Sequence, residues 1–354
     1  MQPAAHRNRK VRVLVADDST FMRRMLGQAL AEQGFDVVGE ACDGDEALAL
    51  FEQLKPDAMT LDLAMPGTDG IAVLRQLSAR SGKGGLPVIV VSAFSPAHGA
   101  RAVDALAEGA FDLVAKPALG EPLETFIGAL RDKVIAAAGV ATAPSRAVAP
   151  VVPQPPAPTA SRPPRAALGK PVLVIAISTG GPKALGVLAE SLPARVGAGG
   201  YIVQHMPAGF TASLADRIDR ACAARIVEAQ GGEKLDPGTL YLAPGGQHLR
   251  LRDGGETAIT DEAPIGGLRP RADVTIADAV ELYGSRVVLV VMTGMGKDGL
   301  EGARAVRAAG GRVIAEAESS CTVYGMPRAV AEAGLVDVVA PLEQLGAVIA
   351  NELR

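Results

Sequence analysis

The sequence predicts an α/β chain built from two doubly wound parallel-sheet domains, and three observations lead there. Short apolar segments rich in β-branched residues alternate with amphipathic helical stripes; the alternation occurs twice; and a proline-dense stretch separates the two runs. Continuous apolar strands divided by helices mean a parallel sheet covered on both faces. At 354 residues the chain also exceeds one ordinary core, so two domains are expected.

The first run occupies 11–131, after a tail of residues 1–10. VRVLVA (11–16), DVVGEA (36–41), DAMTLDL (57–63), PVIVVSA (87–93) and DLVAK (112–116) are bounded by turn residues and read as five strands. Phe21, Met22, Met25, Leu26, Ala29 and Leu30 form a helical stripe that Gly34 ends. Residues 132–168 read as an interdomain linker. Pro144, Pro150, Pro153, Pro155, Pro156, Pro158, Pro163 and Pro164 can feed neither a helix nor a ladder, so the segment is expected to be extended and semi-rigid.

The second run fills 169–354. Its strands are PVLVIAIS (171–178), GYIVQHM (200–206), TLYLAPG (239–245), RVVLVVMTG (286–294) and RVIAEA (312–317), with helices near 182–191, 209–223, 271–282 and 298–309. LRLRD and TAITDE flank Gly254-Gly255 and read as a small inserted hairpin.

Composition excludes several classes. Hydrophobic residues at 48% and charged residues at 21% suit a globular protein, and a net charge of −4 argues against nucleic-acid binding. Cys42, Cys222 and Cys321 lie too far apart for a zinc or disulfide framework, which fits a reducing compartment. No apolar run approaches the ~20 residues of a membrane span, and the start lacks the form of a signal peptide, so a cytoplasmic location without membrane insertion is expected.

Asp17 and Asp18 follow the first strand and Asp62 ends the third, so a doubly wound sheet gathers three acids at its carboxyl edge. Such a pocket suits a hard cation with oxygen ligands, Mg²⁺. The fourth and fifth strands bring Ser92 and Lys116-Pro117 to the same rim. The set suits a phosphoryl group accepted on Asp62, with metal and lysine neutralising the transferred oxygens. Any one of these acids alone would be an ordinary loop residue or helix cap.

In the second domain Ser178-Thr179-Gly180-Gly181-Pro182 follows an apolar strand and opens a helix. The glycines permit a tight turn, and the helix start offers free N–H groups for an oxyanion. A serine there is expected to stand exposed above the sheet. It needs a base: His6 and His98 belong to the tail and the first domain, leaving His205 at a strand end and His248 in a loop, and position favours His205. Asp298, in MTGMGKDG (292–299), is the candidate orienting acid, with Asp273 and Asp278 as helix-borne competitors. Phosphate cradling is the rival for these glycine-rich segments, although Asp298 follows Lys297 where a phosphate loop has Ser or Thr. From these residues alone, serine hydrolase, anion-binding domain and structural turn all stay open.

Residues 11–130 resemble a two-component receiver domain through Asp17-Asp18, LDLAMPGTDG, Ser92 and Lys116-Pro117. The resemblance implies a flavodoxin-like fold, Asp62 as phosphoacceptor, Asp17, Asp18 and Asp62 around Mg²⁺, and Ser92 and Lys116 as phosphate-sensing groups. Ala64 stands where relatives often carry an acid. Residues 169–354 resemble the catalytic domain of the chemotaxis protein-glutamate methylesterase family through STGG, QHMPAGFT (204–211), APGGQH (243–248), MTGMGKDG and YGMPRAV (324–330). That resemblance implies a Rossmann-like domain with Ser178 as nucleophile, His205 as base and Asp298 as orienting acid. Thr179 would be a site neighbour and the Met295 N–H an oxyanion donor, with no cofactor in this site. It further implies demethylation of glutamate γ-methyl esters on chemoreceptor helices with release of methanol, deamidation of receptor glutamines, and a CheA-type histidine kinase as partner.

Three features depart from the family pattern or need comment. Ile177 replaces a small residue, LRPRAD (268–273) replaces a common HRPSVD and so installs Leu268 and Arg271, and Cys321 is expected to be core. Ile177 and Arg271 keep open an alternative, a catalytically degenerate response regulator that binds a signalling partner through the same cleft.

Overall fold

The computed structural model describes residues 9–81, 85–93, 96–117, 122–142 and 169–354. Most of the proline-rich segment therefore lies outside the described residues. The chain forms two compact units, each an α/β unit of its own.

The first unit runs β1 (Arg12–Ala16), α1 (Thr20–Glu32), β2 (Asp36–Ala41), α2 (Gly44–Leu54), β3 (Ala58–Leu61), α3 (Gly70–Ser81), β4 (Val88–Ser92), α4 (Pro96–Ala107), β5 (Asp112–Ala115) and α5 (Leu123–Thr142). Its strands are ordered β2-β1-β3-β4-β5, every pair parallel, the flavodoxin-like arrangement expected. Val13, Leu14, Val15, Met59, Leu61, Ile89 and Val90 are essentially inaccessible, because helices cover both faces. Local chemistry starts the helices: the Ser19 hydroxyl accepts the Met22 N–H, and the Asp43 carboxylate accepts the Glu46 N–H at 2.8 Å.

The domain boundary at 131 falls inside α5, which runs on to Thr142. Val134, Ala137 and Ala138 are buried, so an alanine-rich stretch that reads as the onset of a linker is a packed helical turn instead.

The second unit contains β6 (Val172–Ile177), α6 (Gly181–Ala189), β7 (Gly200–Gln204), α7 (Thr211–Asp219), β8 (Arg225–Glu228), β9 (Thr239–Leu242), β10 (His248–Arg252), β11 (Glu256–Thr260), α8 (Ala272–Tyr283), β12 (Val287–Val291), α9 (Leu300–Ala308), β13 (Arg312–Glu316), α10 (Met326–Glu332), β14 (Val338–Ala340) and α11 (Leu342–Glu352). Seven strands form one parallel sheet in the order β14-β13-β12-β6-β7-β9-β8, and β10 and β11 form the expected antiparallel hairpin. The edge strands β8 and β14 add to the five strands legible in the sequence.

The first strand of this domain, β6, lies in the interior of the sheet, and the chain builds outward from it on either side. Val172, Val174 and Ala176 face one layer with Tyr201, Val203, Leu289 and Val291, and every residue of β6 is buried. Each buried Val, Leu or Ile contributes about 1.5–3 kcal/mol relative to exposure, so the sheet centre is the rigid part of the domain. The carboxyl ends of β6, β7 and β12 meet where the winding direction changes, the position at which such sheets hold their sites.

Candidate active site

In the first unit Asp17 follows β1, Asp62 follows β3, Ser92 ends β4 and Lys116 follows β5; all but Lys116 are buried to 5% exposure or less. The Lys116 ammonium lies 2.6 Å from Asp62 Oδ2 and 2.8 Å from Asp17 Oδ2. A backbone N–H meets the other oxygen of each: Ala64 donates to Asp62 Oδ1 at 3.1 Å and Ser19 to Asp17 Oδ1 at 2.9 Å. Burial pushes the Asp17 carboxyl above its ordinary range, against the lowering effect of Lys116. Burial also opposes the charge on Lys116, but its bonds to Asp17 and Asp62 outweigh it and hold the amine above its usual value. One oxygen each from Asp17, Asp18 and Asp62 lie within 4.8 Å of one another. A single lysine for three carboxylates leaves net negative charge among hard oxygen donors, a fit for a small divalent cation.

The second unit places Ser178 directly after β6 and His205 directly after β7. Those strands are paired with Ile177 opposite Gln204, so the two residues stand side by side at the sheet edge. His205 Nε2 and Asp298 Oδ2 are 2.7 Å apart. Asp298 is held on every side: Oδ2 also accepts the Ala272 N–H at 2.6 Å, and Oδ1 accepts those of Asp273 at 3.0 Å and Gly299 at 2.9 Å. Burial raises the Asp298 pKa, but the His205 bond and these N–H donors overcome it and hold the carboxyl down at about 2. The Ser178 hydroxyl makes no hydrogen bond among the described residues. With Nε2 taken by Asp298, Nδ1 is the ring nitrogen left for a second partner.

Ser178 is only 8% exposed, less open than the turn suggests. Gly294 packs on it so closely that a Cβ there would stand 2.7 Å from the Ser178 Cβ. Gly180 caps α6 at φ 79°, a conformation that favours glycine, and a side chain at that position would strike Thr322. The N–H of Met295, one residue after Gly294, has no partner among the described residues.

The competitors of the triad candidates have other work. His248 is fully buried at the start of β10, with Nε2 3.4 Å from the Ala263 carbonyl. Asp278 binds Arg250 at 2.7 Å and the Leu251 N–H at 2.9 Å. Asp273 lies beside Asp298 and accepts the N–H groups of Gly299 and Gly302. Among the departures, Ile177 is fully buried within β6, and its carbonyl accepts the His205 N–H at 3.0 Å, so the larger side chain is absorbed by the core. Cys321 is half-buried rather than core, and burial raises its thiol pKa, with Glu316 adding to the effect.

Three supporting residues were not singled out from the sequence. The Gln204 amide donates to the carbonyls of both Ser178 (3.0 Å) and His205 (2.9 Å), tying the two loops together. Thr293 accepts the Ser178 N–H on its carbonyl, and its hydroxyl donates to the Thr179 carbonyl at 2.9 Å. The buried Glu316 carboxylate accepts the Thr293 N–H at 2.8 Å and anchors this strut. Only Glu316 carried a signal, an acid closing the apolar strand RVIAE.

Fold and sites together define a signal-receiving α/β domain followed by an α/β domain of hydrolase type. Residues 13–127 match the response regulator receiver domain family, and residues 173–349 match the CheB methylesterase family. The chain is 44% identical to protein-glutamate methylesterase/protein-glutamine glutaminase 5 of Myxococcus xanthus, over 97% of this chain and 98% of that protein. It is 39% identical to the protein-glutamate methylesterase/protein-glutamine glutaminase of Halalkalibacterium halodurans, over 98% and 99% of the two chains. Among solved structures, the CheB methylesterase catalytic domain of Thermotoga maritima is 41% identical, covers 52% of this chain and 98% of its own, and superposes with a TM-score of 0.50. The chain belongs to the CheB methylesterase family.

Proposed function

We propose that the protein is a phosphorylation-activated methylesterase that hydrolyses glutamate γ-methyl esters on chemoreceptor helices in the cytoplasm, and deamidates receptor glutamines at the same site. The observation that carries this reading is the 2.7 Å bond between His205 and Asp298 one strand away from Ser178, in a chain of this family. No described helix is long and apolar enough to cross a membrane, which agrees with action on the aqueous part of a receptor.

The chemistry follows from the donors and acceptors. Ser178 Oγ attacks the ester carbonyl while His205 Nδ1 takes its proton, and Asp298 stabilises the imidazolium through Nε2. The Met295 N–H and the start of α6 stabilise the tetrahedral oxyanion, with Thr179 beside the nucleophile. His205 then gives the proton to the departing methoxide, releasing methanol and leaving an acyl-enzyme. Water, activated by the same imidazole, cleaves that ester and restores Ser178 with a free glutamate. With a glutamine substrate the leaving group is ammonia.

Regulation would enter at Asp62. A carboxylate oxygen bonds the phosphorus of a CheA-type kinase's phosphohistidine as the P–N bond breaks. Asp17, Asp18 and Asp62 would hold Mg²⁺, whose charge neutralises the phosphoryl oxygens when it is bound. Lys116 and Ser92 would then read the new phosphate, because the lysine already spans Asp17 and Asp62. Methanol release from methylated receptor, followed with and without acetyl phosphate, tests both halves. A rate that rises with acetyl phosphate in the wild type and not in Asp62→Asn is expected; no release under either condition would refute the reading.

A further inference from the structure

Arg271 precedes α8 as its N-cap residue, and its guanidinium reaches three groups. Nη2 donates to Asp273 Oδ2 at 2.9 Å, Nη1 donates to the Ile265 carbonyl at 3.0 Å, and Nε lies 3.4 Å from Asp298 Oδ1. The two carboxylates also share one donor, the Gly299 N–H, at 3.0 Å from Asp273 Oδ1 and 2.9 Å from Asp298 Oδ1. Both acids are poorly solvated, with side-chain exposures of 13% and 1%. Two like charges so placed repel each other, and a fixed cation between them is what lets both stay ionised. Burial and the neighbouring Asp298 charge already push the Asp273 carboxyl upward.

The charged groups facing Asp298 are His205 from the end of β7 and Arg271 and Asp273 from the start of α8. Lys297 precedes Asp298 in its own loop and is exposed. On the other side of Arg271 lies the 261–270 loop, exposed from Asp261 to Gly267. Arg269 braces that loop through the Asp261 and Glu262 carbonyls, both at 3.1 Å, and Arg271 braces it through Ile265.

We propose that Arg271 is a positioning residue for ester cleavage: it clamps Asp298 against His205 and ties the 261–270 loop to that acid. The inference rests on the assignment of Ser178, His205 and Asp298 above. A planar guanidinium holds a carboxylate pair and a carbonyl in one fixed fork, whereas an ammonium is a point charge on a flexible stem.

The test uses the full chain as wild type, Arg271→Gln and Arg271→Lys. kcat and KM for methanol release are measured from about pH 5 to 9, the range over which an imidazole titrates. The His205 imidazole is titrated by NMR in each protein carrying Ser178→Ala. Neutralising position 271 removes a cation that repels the imidazolium, so the proton stays on His205 to higher pH. Arg271→Gln should move both the NMR titration and the acid limb of the rate profile upward by about half a pH unit. It should also lower kcat about tenfold with KM nearly unchanged. Arg271→Lys should restore the titration but only part of kcat, because charge returns without the fork. A His205 titration in Arg271→Gln that superimposes on the wild type, or a change confined to KM, would overturn the proposal. If the wild type releases no methanol, the assigned function fails instead, and the titration still decides the role of Arg271.

Discussion

Each of the two domains centres on a buried aspartate between a parallel strand and the next helix, Asp62 directly after β3 and Asp298 near the end of the loop from β12 to α9, and the two carboxylates are treated in opposite ways. Asp62 receives one backbone N–H and one lysine, with two further carboxylates within reach of the same point. Asp298 receives three backbone N–H groups and an imidazole, with a guanidinium behind it. A carboxylate that must form a new bond keeps lone pairs free and neighbours that welcome more negative charge. One that must only orient a base has every lone pair engaged, which fixes its position and holds it ionised. On the proposed assignment, the local pattern of donors separates a reacting acid from a supporting one on two sheets of the same kind.

Substitutions can break this contrast, starting with the largest effect. Ser178→Ala should lower kcat for methanol release by about 10⁶-fold, with acetyl phosphate still labelling Asp62. Appreciable release from that variant would remove the serine from the chemistry. Asp298→Asn should cost about 10⁴-fold in kcat, because an amide in that place stabilises the wrong imidazole tautomer. Asp62→Asn should leave the basal rate within about twofold and abolish only the response to phosphodonor, since it sits in the other domain's sheet. Equal losses of basal rate from the Asp62 and Asp298 variants would contradict the division of labour.

Acid denaturation sharpens the contrast further. The Asp298 pKa is depressed to about 2, so its stabilisation is complete above the unfolded value near 3.8 and is lost as pH falls through about 2. The amount is about 2 kcal/mol, and Asp298→Asn should flatten that part of the catalytic domain's stability profile in urea titrations. Asp17 has the opposite sign: its folded pKa is raised, so ionisation at neutral pH destabilises the fold and protonation relieves it. Asp17→Asn should raise the receiver's Tm at neutral pH, as read by calorimetry.

Much of this architecture is legible in the sequence because β6, β12 and the central receiver strand β1 are dominated by buried apolar residues, which few other structures tolerate. The edge strand β8 is four residues long and begins and ends in Arg225 and Glu228, as protected edges do, while β14 is apolar but only three residues long, too short to read as a strand. The end of α5 was obscured by its alanines, whose burial depends on what packs against them. Ser178, His205 and Asp298 stand out by residue type and strand-end position. Gln204 and Thr293 do not, because their contacts join segments that only the folded sheet brings together, and Arg271 and Glu316 show only as a departure from the family pattern and as an acid closing an apolar strand, without the contacts they make. Their roles are properties of distance, which a linear pattern does not encode.

Asp298, the proposed orienting acid, lies 93 residues beyond its histidine partner. During synthesis a growing polypeptide therefore displays the serine and the imidazole well before the aspartate has left the ribosome. A prematurely terminated product, or one clipped between these segments, carries the serine and the imidazole without the carboxylate that would hold the imidazole in place.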